Sequence, residues 1–292
     1  MNKAIIFGVN GQDGYYLSAL LEKKNIAVIG ISRTGNRIIG DVSNYSFVTS
    51  LLKEHQPDFI FHLAANSTAR HEALFENHET ICRGSMNILE AVRLFSPNTK
   101  VFLSGSALQF KNAGEPISET TLFEAGSAYA VARIESTYLA RYYHKVFGTK
   151  VYVGYFFNHD SPLRSERHVN QKIAAAARRI VNGSKEVLEL GNIEVKKEFN
   201  FAGDIVEAVW ILVNQDQIFE AVIGSGEEYS IKDWLVYCFE KCNMNWEEHV
   251  RINKDFVPEY DILVSDPKII KSLGWKAKTS FSALADMMMG GI

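Results

Sequence analysis

The feature that most constrains the fold is the regular alternation of short apolar runs with helical patterns in the first half of the chain. The apolar runs are rich in β-branched and aromatic residues, and they occupy 3–8, 27–32, 59–64, 100–105 and 151–156. Helical patterns between them occupy 12–24, 44–55 and 77–95. Strands buried on both faces have continuous apolar sequences, and repeated strand–helix units form parallel sheets. The sequence therefore predicts an α/β fold, a doubly wound parallel sheet with helices on both faces.

The second half is less regular and predicts a smaller, mostly helical portion beside the sheet. Patterns typical of amphipathic helices occupy 169–182, 203–214, 230–242 and 266–275, and a further helix follows near the C-terminus. We expect residues 1–157, together with about 203–222, to form the sheet domain. Residues 158–202 and 223–292 are then expected to form the second portion.

Composition excludes several classes of partner. The formal net charge of −3 provides no basic field, so we expect no nucleic-acid partner. No signal sequence or membrane-spanning apolar run is present, which predicts a soluble, cytoplasmic protein with no membrane partner. The cysteines at 82, 238 and 242 lack metal-ligand spacing, so we interpret them as buried or incidental thiols in a reducing compartment, and we predict no metal.

A glycine-rich turn follows the first predicted strand. The stretch "GVNGQDG" places Gly8, Gly11 and Gly14 between that strand and the next predicted helix. Glycine permits a tight turn and a close backbone approach, and a helix N-terminus offers amide hydrogens to a pyrophosphate. Isolated glycines also simply form turns, but this placement favours a dinucleotide-binding loop.

The end of the second predicted strand bears on which dinucleotide is bound. NAD-preferring sites tend to carry an acidic residue there, whereas this chain has Ser32 and Arg33. An arginine suits a 2′-phosphate, so NADP(H) is favoured and NAD(H) is the alternative; Arg33 could also be a solvated loop residue. Asp41 is placed to contact the adenine, although it could equally cap a helix.

Several longer stretches carry a resemblance to a known family. They are "GVNGQDGYYLSALLEKK", "YAVAR", "FNHDSPLRSERHVNQKI", "LGN" and "SDPKIIKSLGWK". Together they resemble extended short-chain dehydrogenase/reductases of the GDP-mannose 4,6-dehydratase group, across nearly the whole chain. The resemblance implies a Rossmann-like fold with a nucleotide-sugar-binding second portion. It implies a cofactor site made by Gly8, Asn10, Gly11, Gln12, Asp13, Gly14, Arg33, Asp41, Val42, Leu63, Ala64, Ala65, Tyr129 and Arg133.

The same resemblance locates the catalytic positions and shows that most of them have changed. In the family, a tyrosine acts as acid/base, and a lysine four residues later binds the nicotinamide ribose. A threonine and a glutamate after the fourth strand serve the sugar hydroxyl and the C5 proton. Here the tyrosine is Tyr129, the lysine position is Arg133, the threonine position is Gly105 and the glutamate position is Ala107. The serine between the last two positions is retained as Ser106.

These departures remove the main group for dehydration but leave what hydride transfer needs. Ala107 can neither accept nor donate the C5 proton. Tyr129 can still exchange a proton with a sugar oxygen, with Ser104 or Ser106 as the second hydrogen-bonding group. Arg133 can stabilise a tyrosinate by its charge and bond the ribose, but it cannot release a proton. Alternatively, Tyr129 is a packed aromatic residue and the site is weakened.

The resemblance also implies a substrate side. Its predicted residues are Asn158, Arg164, Val169, Lys172, Lys197 and Glu259. Lys197 stands where the family has a phosphate-binding arginine, and Phe256 replaces a second one, so a GDP-sugar is favoured but another nucleotide stays open. Arg164 and Lys172 could instead be ordinary surface charges.

Three functions remain open from the sequence. The first is an NADP(H)-dependent 4-keto-sugar reductase or dehydrogenase in deoxysugar or polysaccharide precursor synthesis. The second is a 4,6-dehydratase or epimerase with a rearranged site, whose acid comes from Glu115, Glu119 or Glu124. The third is a non-catalytic protein that retains cofactor binding. By resemblance we also expect a homodimer formed through the helix that carries Tyr129 and the helix before it.

Overall fold

The structure is a computed structural model that describes residues 1–35, 37–68 and 70–290. The strands are β1 Lys3–Phe7, β2 Ala27–Ser32, β3 Ile38–Ile39, β4 Phe59–His62, β5 Lys100–Ser106, β6 Val151–Phe156, β7 His159–Asp160, β8 Leu188–Leu190, β9 Lys196–Glu198, β10 Asn200–Phe201, β11 Glu220–Ile223, β12 Glu228–Ser230, β13 Val250–Ile252 and β14 Ile262–Leu263. The α-helices are α1 Gln12–Lys23, α2 Tyr45–His55, α3 Leu74–Asn77, α4 Gly84–Phe95, α5 Ala128–Phe147, α6 Val169–Val181, α7 Ala202–Val213, α8 Ile231–Glu240, α9 Lys268–Ser272 and α10 Phe281–Met288.

The main sheet confirms the predicted fold class. Seven parallel strands lie in the order β11-β6-β5-β4-β1-β2-β3. The five predicted apolar runs form the centre of this sheet. The edge strands β3 and β11 were not predicted because they are only two and four residues long. Because the chain runs from β1 to one side and later returns to β4 on the other, a ligand crevice opens at the carboxyl ends of these two strands.

Helices cover both faces of the sheet, as in a doubly wound fold. On one face, apolar side chains of α2, α4 and α5 pack against the strands, including Leu52, Ile88 and Tyr143. On the other face, α1 and α7 pack through Leu17, Leu21 and their neighbours. These two layers fix α1 at the mouth of the crevice and α5 along its side.

A third apolar core lies in the predicted second portion. It joins α6, α8 and α10 with the short strand β8 and with Val195 and Phe199, which flank β9, around the fully buried Trp234. Ile270 and Trp275 pack instead with the layer of α1 and α7. The segment around α9 therefore lies against the sheet domain, although its sequence position falls within the predicted second portion.

One predicted helix differs in its internal geometry. The pattern at 77–95 predicts a single helix, but the segment His78–Arg83 is π-helical and separates α3 from α4. Such segments often occur at functional sites. Among the described residues, no helix is both long enough and apolar enough to cross a bilayer.

Candidate active site

The glycine-rich turn has the geometry of a pyrophosphate-binding loop. Gly8 has a φ of +90°, and a Cβ atom there would lie 2.7 Å from the Ala64 backbone nitrogen. A Cβ atom on Gly14 would lie 2.4 Å from the Gly8 carbonyl oxygen. Gly11 caps α1, whose first turn leaves its amide hydrogens pointing toward the loop. The backbone thus forms a cradle that a side chain would fill, and the cradle fits a dinucleotide.

A cavity of about 230 Å³ beside this loop fits the adenosine half of the cofactor. Residues from β2, β4 and the connection after β3 line it, among them Ser32, Arg33, Asp41, Val42, Leu63, Ala64 and Ala65. The Asp41 carboxylate accepts a hydrogen bond from the Ser43 amide at 2.9 Å. Asn10 lies outside the lining and donates instead to the Ser32 hydroxyl and the Thr34 carbonyl, which fixes the loop to the end of β2.

Arg33 is half exposed at the rim of this cavity and has an acidic neighbour. Its guanidinium lies 2.7 Å from the Glu76 carboxylate, which also accepts a hydrogen bond from Asn66. The hydrogen bond from Arg33 lowers the pKa of Glu76. Glu76 therefore stays charged and holds Arg33 at the mouth of the adenosine cavity.

A second cavity of about 310 Å³ joins the glycine loop to the predicted catalytic residues. Its lining comes from the carboxyl ends of β1, β4, β5 and β6, the start of α5 and the C-terminal part of the chain. The predicted site residues among the lining are Gly8, Gly11, Gln12, Asp13, Gly14, Leu63, Ala65, Ser104, Ser106, Tyr129, Arg133, Asn158, Arg164 and Glu259.

The N-terminal turn of α5 delivers Tyr129 and Arg133 to this cavity. The helix begins at its Ser127 cap, whose hydroxyl accepts a hydrogen bond from the Ala130 amide at 3.1 Å. The Arg133 guanidinium lies over the Tyr129 ring, 5.1 Å from its centroid, which is a cation–π arrangement. Within the described residues, no group forms a hydrogen bond to the Tyr129 hydroxyl, so that oxygen is available to a ligand.

Arg133 is anchored to the end of β5. Its Nη1 donates hydrogen bonds to the Ser104 carbonyl and, at 2.9 Å, to the Ser104 hydroxyl. The side chain is buried, and its Nε has no hydrogen-bond partner in the described part of the chain. Burial and the nearby Arg133 charge lower the pKa of His62 to about 4. His62 is therefore neutral at pH 7, and Arg133 is the cation at this end of the cavity.

The two candidate serines have different hydrogen-bonding capacity. Ser104 uses its hydroxyl proton on the His62 carbonyl at 3.0 Å while it accepts from Arg133. The Ser106 hydroxyl accepts from the Leu108 amide at 3.2 Å and makes no donated bond within the described residues. Ser106 therefore retains a proton that it can offer to a ligand, whereas Ser104 positions Arg133.

The two positions that resemble the family's threonine and glutamate lie between the apolar core and the cavity. A Cβ atom on Gly105 would lie 2.6 Å from Cδ1 of Tyr155. Ala107 is 3% exposed and belongs to the same apolar cluster as Phe110 and Tyr155. Both residues also line the cavity that holds Tyr129. The position of the family's glutamate therefore borders the site but carries no group that can exchange a proton.

The acid predicted from the loop before α5 is not supplied by this structure. The side chains of Glu115 and Glu124 are exposed, and Glu119 accepts a hydrogen bond from the Val222 amide at 2.7 Å in β11. None of the three lines the cavity. Among the described lining residues, the carboxylates are Asp13 and Glu259.

The N-terminus of α1 is tied to the segment after β6. Gln12 donates to the His159 carbonyl at 3.2 Å, and Asp13 lies 2.9 Å from Nε2 of His159. Burial raises the pKa of Asp13, but the charge of His159 and its hydrogen bond outweigh this and lower the pKa overall. Burial likewise lowers the pKa of His159, and Asp13 reverses the direction. This ion pair joins the cofactor loop to the predicted substrate side.

The predicted substrate residues divide into two groups. Asn158, Arg164 and Glu259 line the cavity, whereas Val169, Lys172 and Lys197 are outside the lining. Val169 begins α6, and Lys172 donates to the Glu189 carbonyl at 2.6 Å.

His168 is a lining residue that the sequence analysis missed. Burial, followed by the charge of Arg164, lowers the pKa of His168 to about 4, so it is neutral at pH 7. Its position just before a helix was the one available signal.

Lys197 is a buried cation close to Arg164. It is 7% exposed, and its ammonium lies 5.3 Å from the centroid of the Phe199 ring. Burial lowers its pKa to about 8, with Asp160 opposing that change and Arg164 adding to it. Within the described residues, the Lys197 ammonium makes no hydrogen bond. Arg164 lines this end of the cavity and lies 3.2 Å from the Asp160 carboxylate, while Lys197 adds a positive charge just outside the lining.

Comparison with known proteins agrees with this geometry. The sequence model of the family described as GDP-mannose 4,6 dehydratase matches residues 5–288. The Arabidopsis thaliana protein named GDP-mannose 4,6 dehydratase 1 is 32% identical to this chain, over 98% of this chain and 88% of the relative.

Solved structures share the fold at lower identity. RMD from Pseudomonas aeruginosa, solved with NADPH, has a TM-score of 0.86 and 20% identity, over 100% of this chain and 98% of that one. A dTDP-glucose 4,6-dehydratase from Bacillus anthracis, solved with NAD, has a TM-score of 0.88 and 14% identity, over 100% and 96%. At these identities the likeness concerns the fold.

Proposed function

Since the chain belongs to the GDP-mannose 4,6-dehydratase family, we propose that it is an NADP(H)-dependent oxidoreductase of a nucleotide-activated sugar. The proposed reaction is reduction of a 4-keto sugar, or the reverse oxidation, without dehydration. One observation carries the proposal: the Tyr129 hydroxyl, unbonded within the described residues, shares a cavity with the glycine loop, and the dehydration glutamate of the family is replaced in that same cavity by Ala107.

The cofactor half of the proposal rests on the cradle and its flanking charges. The amide hydrogens at the start of α1 and the bare backbone of Gly8 and Gly14 suit a pyrophosphate. Arg33 at the rim of the adenosine cavity suits a 2′-phosphate, which favours NADP(H) over NAD(H). A bound nicotinamide cofactor supplies or accepts the hydride.

The chain's own residues manage the proton at the sugar oxygen. In the direction of reduction, the Tyr129 hydroxyl donates a proton to the C4 oxygen as the carbonyl becomes an alcohol, and Ser106 donates a hydrogen bond to the same oxygen. Arg133 lies over the Tyr129 ring, and its charge stabilises the tyrosinate that remains. Bulk solvent then returns the proton to Tyr129.

The substrate half rests on two cations at or near the far end of the cavity. Arg164 lines it and pairs with Asp160, and Lys197 lies buried outside the lining, close to both, without a hydrogen bond in the described residues. Cations of this kind suit a diphosphate. We propose a GDP-sugar, with Asn158 near the diphosphate and Glu259 near a ribose.

A panel of 4-keto nucleotide sugars tests the function. NADPH absorbance should fall with at least one keto sugar, and Tyr129→Phe should lower kcat by about 10²–10⁴-fold while cofactor affinity is unchanged. The matched control is Tyr45→Phe, an exposed tyrosine on α2 that does not line the cavity. Tight cofactor binding without turnover of any keto sugar would identify a non-catalytic protein instead.

We also propose that the chain forms a homodimer through α4 and α5. Apolar residues exposed on these helices are Met86, Leu94, Val131, Tyr138, Tyr142, Val146 and Phe147. The spacing of Val131, Tyr138 and Tyr142 places them along one stripe of α5. The double variant Tyr138→Glu/Tyr142→Glu should sediment as a monomer. The control Leu122→Glu, at an exposed residue outside these helices, should remain a dimer. A double variant that sediments like the wild type would contradict this interface.

A further inference from the structure

We propose that His78, Cys82 and Glu135 form a binding site for Zn²⁺, separate from the cavities that hold cofactor and substrate. The three side chains each present one ligand atom, and these atoms lie within 4.8 Å of one another. None of the three residues lines the cofactor or substrate cavity. The site does not depend on the proposed catalytic activity, but Glu135 lies on the same stripe of α5 as Val131, Tyr138 and Tyr142, so the metal would lie beside the proposed dimer interface.

The backbone brings the three ligands together from two elements. His78 and Cys82 are four residues apart in the π-helical segment His78–Arg83, so their side chains point to the same side. Glu135 extends from α5 toward them, and its carboxylate lies 3.6 Å from Nδ1 of His78. The interruption of regular α-helix at this point is thus occupied by two potential ligands.

The donor set matches zinc in type and in size. Imidazole nitrogen, thiolate sulfur and carboxylate oxygen are all zinc ligands, and three protein ligands leave one position for water. Tetrahedral bonds of about 2.0–2.3 Å place neighbouring ligand atoms roughly 3.3–3.8 Å apart. His78 and Glu135 are about half exposed, so small rotations of their side chains can close the remaining distance. The Cys82 thiol would release its proton to solvent as the zinc–sulfur bond forms.

The position of the site gives the metal a structural role. Ile81, between the two ligands of the segment, packs against Tyr129 and Ala132. The Thr80 carbonyl accepts a hydrogen bond from His62 at 3.0 Å. A metal that joins this segment to Glu135 would therefore hold α5, and with it Tyr129, against the cofactor side of the fold. Without metal, the contact between His78 and Glu135 joins the two elements more weakly than the metal would.

Zinc chloride alone, titrated into the chelator-treated full chain, tests the site. We expect one Zn²⁺ per chain, and the Tm should rise by roughly 5 °C at a hundredfold excess over the Kd. With Co²⁺ in place of Zn²⁺, a thiolate-to-metal charge-transfer band should appear and should be lost in Cys82→Ser.

Cys82 is buried, so Cys82→Ser could weaken zinc binding by disturbing the fold. Variants of the two exposed ligands test the site without that complication. His78→Ala and Glu135→Gln should each weaken zinc binding by at least about tenfold. Glu79→Gln is the matched control, because Glu79 lies on the same segment and pairs with Arg83 instead. Failure of the chain to retain zinc would overturn the site. Equal affinity in His78→Ala, Glu135→Gln and the wild type would do the same, as would a cobalt–thiolate band that survives in Cys82→Ser.

Discussion

The Arg133 guanidinium donates a 2.9 Å hydrogen bond to the Ser104 hydroxyl, and the same Nη1 donates to the Ser104 carbonyl. Its planar group also covers the Tyr129 ring at 5.1 Å. Arg133 is therefore held by β5 on one side and by the tyrosine on the other. In our account it supplies the positive charge that the family obtains from a lysine.

Replacement of Arg133 separates its charge from its shape. Arg133→Lys retains the charge, and we expect kcat within about tenfold of the wild type. Arg133→Met removes the charge that stabilises the tyrosinate, so kcat/KM should fall by about a hundredfold or more. Steady-state kinetics with NADPH and a keto sugar measure both. Wild-type turnover by Arg133→Met would show that the cation is not required.

Gly14 tests the cofactor cradle. In Gly14→Ala the new Cβ would lie 2.4 Å from the Gly8 carbonyl oxygen, so the loop must shift. We expect cofactor affinity to fall at least tenfold and the free energy of unfolding to fall by about 1–3 kcal/mol. Gly126→Ala is the control, since its Cβ would meet no atom within 4 Å. Titration of NADPH against intrinsic fluorescence gives the affinity, and unchanged binding in Gly14→Ala would contradict the assignment.

Arg33 tests the choice between the two dinucleotides. Arg33→Ala should weaken NADPH binding by about 10–100-fold through loss of a charge-assisted contact with the 2′-phosphate, and should leave NADH binding unchanged. Arg37→Ala, a charge removed four residues further along, is the control. If the substitution affects neither dinucleotide, Arg33 serves only its ion pair with Glu76.

The lowered pKa of Lys197 predicts that the free energy of unfolding rises with pH in the alkaline range. Its pKa falls from an ordinary value of 10.5 to about 8 on burial, so between these pH values the unfolded chain binds more protons than the folded one. The cost of burying this cation is therefore full below pH 8 and is relieved as the pH rises toward 10.5.

The measurement compares Lys197→Met with the wild type across that range. The stability of the variant relative to the wild type should be about 3 kcal/mol greater at pH 7 than above pH 10.5, where both states of the wild type hold a neutral lysine. Denaturant unfolding at each pH provides the values. A difference that stays constant with pH would contradict the depressed pKa. Weaker binding of a nucleoside diphosphate by the same variant would support its place in the substrate site.

Local sequence patterns predicted the sheet and the glycine loop because both depend on residues that are adjacent in the chain. They could not predict contacts between residues that are distant in the sequence. Asp13 and His159 are in contact although they lie 146 positions apart in the sequence. His168 reaches the cavity because the segment after β6 folds back onto α1.

The resemblance had a limit of a different kind. It showed that Gly105 and Ala107 depart from the family pattern, but not what occupies the space. The Tyr155 ring lies where a side chain on Gly105 would project, and this packing depends on the pairing of β5 with β6. Ser106 retains a hydroxyl proton for a ligand, whereas Ser104 does not, and this difference depends on the hydrogen bonds of Ser104 to His62 and Arg133. The sequence could not show these contacts.

The product mass from a GDP-sugar tests the central claim most directly. The chain is incubated in parallel with GDP-mannose and NADP, and with a GDP-linked 4-keto-6-deoxy sugar and NADPH, and each product is identified by mass spectrometry. Our account predicts that the keto sugar gains two hydrogens while NADPH is oxidised, and that no product has lost water. Loss of one water from GDP-mannose without net cofactor turnover would contradict it and identify a dehydratase.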